Sequence, residues 1–235
     1  LAKQIKYCYF ESIMKKHWFW SFLASCASLA FLGAFLALGA VFFVIMYYTK
    51  QLPDYRQLAV YEPMITTRFY ANDGQLLAEY ASEKRIFVPI AAIPKQVINA
   101  FLSAEDKNFY SHNGIDYMGL VRAVVQNVKN YGSGKRLVGA STITQQVAKN
   151  FFLSSEMSFS RKIKEALLAR RIEQTFDKDH ILELYMNQIY LGRRSYGVAS
   201  AGLMYFNKSL DELTLSEMAF LAGLPKGPNN YNPDK

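Results

Sequence analysis

Apolar and polar positions divide the chain into three regimes. From Trp18 to Tyr48 the order is "WFWSFLASCASLAFLGAFLALGAVFFVIMYY", about thirty residues without a charge. As a helix that run would be roughly 45 Å long, more than the ~30 Å hydrocarbon layer requires. Core helices seldom stay apolar on every face for such a length, and the apolar region of a cleaved signal peptide is about 7–15 residues. The pattern predicts a retained single-pass membrane helix over 18–48, preceded by a cytoplasmic arm over 1–17.

The second regime is short and alternating. "TKQLPDYRQLAVYEP" reads as a proline-marked linker, placed at 49–62. "MITTRFYANDGQLLAEY" alternates around Asn72-Asp73-Gly74, a hairpin signal, and "RIFVPI" could add a third strand. Too few strands for a domain, they predict a small β region over 63–92.

The third regime, 93–235, is helical in period. "PKQVINAFLSAEDKNFYSH" starts with proline in a first turn and is predicted to run as helix to Asn113-Gly114. "DYMGLVRAVVQNVKNYG" runs from an Asp cap to a Gly stop. "STITQQVAKNFF", "SRKIKEALLARRIEQTF", "KDHILELYMNQIYLG", "YGVASAGLMYF" and "LTLSEMAFLAGL" follow. Thr142 with Gln145, Ser209 with Glu212 and Thr214 with Glu217 have capping-box spacing. Met157, Met186, Met204 and Met218 sit at helical positions and are most simply core. The expected fold class is mainly α, with one N-terminal transmembrane helix and a small β hairpin region.

Charge sharpens this picture. Lys3, Lys6, Lys15 and Lys16 precede the apolar span against one acid, Glu11, which places the N-terminus in the cytoplasm and the rest outside. Trp18, Trp20, Tyr47 and Tyr48 stand where interfacial aromatics would. Cys8 and Cys26 fall in the arm or the span, so the exported part has no thiol chemistry. Between Arg122 and Arg171 ten Lys/Arg face two acids, a balance equal to the net +8 of the whole chain. Such a focus points to an anionic partner, a lipid headgroup or a phosphorylated substrate, with solvated helix faces as the plainer reading. Export argues against nucleic acid.

Ile98, Phe101, Glu105 and Phe109 follow three- and four-residue steps and share one predicted face. Desolvation on such a face suits a carboxyl group to proton transfer near neutral pH. The alternative is a glutamate at the margin reaching water, Lys107 or His112. Glu165, Leu168, Ile172 and Phe176 repeat the pattern, with Arg161 one turn earlier and Lys162 and Lys164 flanking. Two inward carboxylates can frame a cleft for glycosyl chemistry, whereas an Arg161–Glu165 surface pair would contribute little. A helix starting at Ser141 or Thr142 offers unpaired N–H groups that favour phosphate, and Gln145, Gln146, Lys149 and Asn150 crowd its next turns. The glycines lack the Walker pattern, so a nucleotide P-loop is rejected. A metal site from Glu105, Asp106, His112 and Asp116 is disfavoured: helical phase turns Asp106 away from Glu105, and Asp116 is placed to cap the next helix.

Five ordered motifs, "EDKNFYSHNGID", "GASTITQQVAKN", "RKIKE", "ILELYMNQIYLG" and "YGVASAGLMYF", resemble those of the peptidoglycan glycosyltransferases. These are the lysozyme-like polymerase domains of class A penicillin-binding proteins and of monofunctional transglycosylases. The resemblance covers roughly residues 65–233; the hairpin and the "LAGLPKGPNNYNP" run look more like the bifunctional proteins. It implies a lysozyme-like glycosyltransferase domain over 93–235 that polymerises lipid II. Glu105 would be general base on the acceptor 4-hydroxyl and Glu165 the second essential carboxylate, with inversion at the donor carbon and undecaprenyl pyrophosphate leaving. Asp106, Phe109 and His112 would support the base. Thr142, Gln146, Lys149 and Asn150 would serve the donor, with Ser141, Gln145, Arg161, Lys162 and Arg194 completing the substrate-binding set.

By the same resemblance no cofactor is required, and a divalent cation, Mg or Mn, is the candidate aid to the diphosphate. The implied partners are lipid II, the growing glycan strand, the bilayer and other cell-wall synthesis proteins. The implied location is the bacterial inner membrane, with the catalytic domain periplasmic. Met157 stands where many relatives carry arginine, which leaves a phosphate role to Arg161, Lys162 or Lys164. Transpeptidase motifs are missing: the only Ser-x-x-Lys is "SIMK", Ser12 to Lys15, and Lys-Thr-Gly does not occur. A piece of a longer bifunctional protein is expected, in which case penicillin would not bind this chain. The rival readings are a hydrolase of similar fold, which has no use for so many cations, and a non-catalytic anchored scaffold.

Overall fold

The computed structural model describes residues 2–60, 67–80, 84–135, 137–154 and 158–231. Met157 and parts of the expected linker and β region (61–66, 81–83) lie outside them. The chain divides into two units, Leu1–Gln51 and Leu52–Lys235.

The first unit is one helix, α1 (Ala2–Thr49). Its stretch Ala24–Thr49 is 26 residues long and apolar enough to cross a membrane. Phe31 and Leu38 are 76% and 70% exposed, so this apolar surface is not a core face. The helix does not stop at the arm–span boundary, because nothing between Lys15 and Trp18 breaks it.

The second unit opens with a 3-10 turn, Tyr55–Val60, which sinks Leu58 into the core where a linker was expected, and continues with the antiparallel hairpin β1 (Thr67–Tyr70) and β2 (Leu76–Tyr80). Gly74, with φ of 82°, turns the chain between them, a backbone angle that glycine adopts without strain. The expected third strand does not extend this hairpin. Instead β3 (Lys84–Arg85) pairs in parallel with β4 (Ser195–Tyr196), more than a hundred residues away. The following segment is tied to a later helix. Val88 N donates to Asn187 Oδ1 at 2.8 Å, Asn187 Nδ2 returns a bond to Val88 O at 2.9 Å, and Ile90 N donates to Glu183 at 2.8 Å.

Among the described residues seven α-helices make the body: α2 (Lys95–Glu105), α3 (Tyr117–Lys129), α4 (Ile143–Phe152), α5 (Phe159–Thr175), α6 (Lys178–Gln188), α7 (Val198–Phe206) and α8 (Leu215–Gly223). Side-chain oxygens cap several first turns, Asp116 where the sequence placed it and Asp177 and Ser158 at positions the sequence reading does not single out. Asp116 accepts from Gly119 N, Asp177 from His180 N and Ser158 from Arg161 N. Both halves of the Thr142–Gln145 and Thr214–Glu217 capping boxes are formed. The Ser209–Glu212 box starts only a 3-10 turn. Phe101, Ile143, Leu168, Ile172, Leu182 and Tyr185 bring α2, α4, α5 and α6 into one core. Met186 and Met218 are buried there and Met204 is partly buried.

One helix is shorter than its periodicity predicts. α2 ends at Glu105, and Asp106 leaves it with φ −155° and ψ 75°. Phe109–Ser111 is a separate 3-10 turn. Helical phase therefore fails one residue after Glu105, with consequences for the site.

Candidate active site

The site lies between the end of α2 and the starts of α4 and α5. Glu105 and Ala104 from α2, Ser141, Gln145, Gln146 and Lys149 from the α4 region, and Arg161, Lys162 and Glu165 from α5 line a cleft of about 470 Å³. Leu137, Val138 and Gly139 form another wall, and Lys226 joins from the turn after α8.

The two carboxylates are held differently. Glu105 is half-buried, and its Oε2 accepts from Gln146 Nε2 at 2.7 Å. Glu165 is 1% exposed and lies between two cations. Arg161, one turn earlier, pairs with its Oε1, and Lys162 Nζ reaches its Oε2 at 2.6 Å. The surface-pair alternative is thus corrected: the Arg161–Glu165 contact exists, but the acid is in the core. Lys162 Nζ also contacts Ser141 Oγ at 2.6 Å, joining α5 to the approach of α4.

Lys149 stands two turns into α4 and lines the same cleft. Burial pushes its ammonium below the usual lysine range, opposed by Glu165 and reinforced by Arg161 and Lys162; Glu105 pulls the other way. A lysine that loses hydration while facing two other cations is arranged for an anionic ligand.

Asp106 requires a correction. Sequence phase turned it aside, yet it is 7% exposed and central. Because α2 has ended, its side chain swings under the start of α4. There it accepts from Ile143 N at 3.0 Å and meets His112 Nε2 at 3.0 Å. Phe109 is buried edge-on to the His112 ring. Asp106, Phe109 and His112 therefore lie behind Glu105, outside the cleft lining. Thr142 is also behind it: its Oγ1 donates to Gly114 O at 2.7 Å while capping α4. Asn150 is half-buried on α4 and outside the lining. Arg194 is likewise outside, exposed in the turn after Gly192 with φ 59°.

Some contributors escape a sequence reading. Lys226 lies in the turn-forming run "GLPKGP", where helical phase cannot assign a face. Tyr185 is almost fully buried; burial pushes its phenol well up, and the charges of Glu105 and Asp106 add to the shift. Among the described residues no group of three or more His, Cys, Asp or Glu side chains could hold a metal ion.

Four cations and two carboxylates surround one cleft on a mainly helical frame, a charge pattern suited to an anionic ligand. The Transglycosylase family matches residues 73–235, and the chain belongs to that family. Its second unit is a glycosyltransferase domain, preceded by an apolar helix. The chain is 53% identical over 210 residues to penicillin-binding protein 1A of Rickettsia bellii, covering 89% of this chain and 26% of that protein. It is 49% identical over 211 residues to penicillin-binding protein 1A of Neisseria lactamica, covering 90% and 26%. The chain thus spans about a quarter of the length of these relatives. A crystal structure of penicillin-binding protein 1A from Haemophilus influenzae matches 74% of this chain and 16% of its own, at 31% identity and a TM-score of 0.36.

Proposed function

We propose that the domain polymerises lipid II, with the growing glycan strand on undecaprenyl pyrophosphate as donor and incoming lipid II as acceptor. The observation that supports this is a division of labour within one cleft: Glu105 is held by a neutral amide and Glu165 by two cations. A carboxylate already committed to an arginine and a lysine is a poor base. Glu105 is the group able to take a proton.

Glu105 accepts the proton of the acceptor 4-hydroxyl as that oxygen bonds to the donor anomeric carbon. The carbon's bond to the pyrophosphate oxygen breaks from the opposite face, its electron pair stays on phosphate, and configuration inverts. Lys149, Arg161 and Lys162 stabilise the developing negative charge, where charge-assisted hydrogen bonds are strong. Glu165 keeps Arg161 and Lys162 in place and limits their mutual repulsion. Glu105 then returns its proton to solvent. Asp106, Phe109 and His112 support the base from behind; Ser141 and Gln145 line the donor side, Thr142 caps the helix behind it, and Asn150 and Arg194 serve parts of the substrate that extend beyond the cleft.

The apolar helix suits this substrate, since a donor and an acceptor both carried on lipid are met at a bilayer. The lysines before it support a cytoplasmic N-terminus and a periplasmic domain, with other cell-wall synthesis proteins as its proposed partners. Glu165 is engaged by Arg161 and Lys162, which supports charge stabilisation by side chains rather than by a protein-held metal. A divalent ion would have to arrive on the diphosphate itself.

Full-length protein in detergent, incubated with labelled lipid II with and without chelator, tests this reading. Polymeric glycan in both samples is expected. No polymer contradicts the function, and loss with chelator contradicts the sufficiency of the cations.

A further inference from the structure

Behind the base lies an ion pair whose two charges each sit at the unfavourable end of a helix. Lys178 is the first residue of α6, at the positive end of its dipole, and Glu173 is in the last turn of α5, at the negative end. Neither is a solvated surface group: their side chains are 19% and 4% exposed. A sequence that breaks a local rule twice at buried positions has a reason elsewhere in the fold.

The contacts supply that reason. Lys178 Nζ donates to Glu173 Oε1 at 2.7 Å and to His112 O at 2.7 Å, and lies 4.3 Å from the centre of the Phe109 ring. These directions account for the three N–H bonds of an ammonium. Glu173 Oε1 also accepts from Thr144 Oγ1 at 2.5 Å, in the first turn of α4. The residue before Thr144, Ile143, gives its N–H to Asp106, whose carboxylate binds His112. The first turn of α4 and the 106–112 segment are thereby fastened to each other at both ends. Gln146, one turn along α4, meets Glu105, the residue before Asp106.

Resting on the transglycosylase reading above, we propose that Glu173 and Lys178 are a positioning pair for Glu105. They hold the 106–112 segment in register with α4 so that Glu105 faces Gln146 and the cleft. Neither lines the cleft, so they act through the base without touching substrate.

Two variants of the full chain test this. Lys178→Met keeps the stem and removes the donors. The exchange Glu173→Lys with Lys178→Glu restores an ion pair and places each charge at its favourable helix end. It cannot donate to the His112 carbonyl. Both variants are expected to lose kcat on lipid II by at least about tenfold, with KM changed by less than about twofold. The exchange should keep the parent's thermal midpoint. Hydrogen exchange at Ile143 and across 106–112 should quicken in Lys178→Met while α7 and α8 stay protected. Parental kcat in either variant overturns the proposal, as does unfolding of both or exchange that rises uniformly. A parent that makes no glycan overturns the functional reading alone, because the exchange pattern still decides the pair.

Discussion

Gln146 Nε2 donates to Glu105 Oε2 at 2.7 Å, linking α4 to the last residue of α2. This bond fixes one carboxylate oxygen; on the proposed reading the other meets the incoming hydroxyl. Gln146 is thus placed to set the rotamer of the base as well as to line the donor side.

Replacing Gln146 by leucine keeps the volume and removes the donor. Loss of a hydrogen bond to a charged group costs about 1.5–3 kcal/mol, here expressed as disorder of the base. A fall in kcat of about ten- to a hundredfold is expected, with donor affinity reduced less. Steady-state kinetics on lipid II, together with donor binding by fluorescence, check this; unchanged kcat contradicts the assigned role.

Lys149 gives a pH signature in two directions. Burial lowers its folded-state pKa below that of the unfolded chain. Between the two values the unfolded state binds more protons, so this group's contribution to stability rises with pH through that window. Donor affinity should fall over the same window, as the ammonium loses its charge. Lys149→Met should weaken the donor at neutral pH and remove this alkaline decline. Isothermal titration with the donor, alongside chemical denaturation across alkaline pH, measures both trends. A stability that falls with the affinity in the parent but not in Lys149→Met would contradict the assigned direction.

Gly114 is the pivot between the His112 segment and α3. With φ of 87°, it would place an added Cβ 2.8 Å from the backbone carbon and oxygen of Ala169 on α5. Its carbonyl also takes the Thr142 hydroxyl. Gly114→Ala is expected to cost about 2–4 kcal/mol, through a left-handed backbone angle and a clash with backbone that cannot yield. Thermal unfolding decides, and a shift within error of the parent would show that the Gly114–Ala169 contact is pliable.

The helical body is legible in the sequence because its signals are local. Asp116, Thr142 and Thr214 cap the helices they precede, and the inward phase of Glu165 follows from Leu168 and Ile172 on one uninterrupted helix. The β hairpin is legible for the same reason, from Asn72-Asp73-Gly74. Legibility ends where the chain leaves regular structure. Helical phase turns Asp106 away from Glu105 only when carried one residue past the end of α2, and the group that fixes it, Ile143 N, is 37 residues away. The pairing of Lys84–Arg85 with Ser195–Tyr196, and the entry of Lys226 into the cleft, depend on tertiary placement that no period encodes. The buried Lys178–Glu173 pair reads in sequence as two ordinary surface charges.

Glu105→Gln is the most direct test of the central claim. It keeps the shape and the contact with Gln146 but removes the group that accepts a proton. General-base catalysis contributes about 10²–10⁴-fold, so elongation of a pre-bound donor strand should slow by at least about a hundredfold. Donor binding and thermal midpoint should stay near the parent's. Single-turnover elongation of labelled lipid II at saturating donor reads this step alone. A rate equal to the parent's would contradict the assignment of Glu105 as the base.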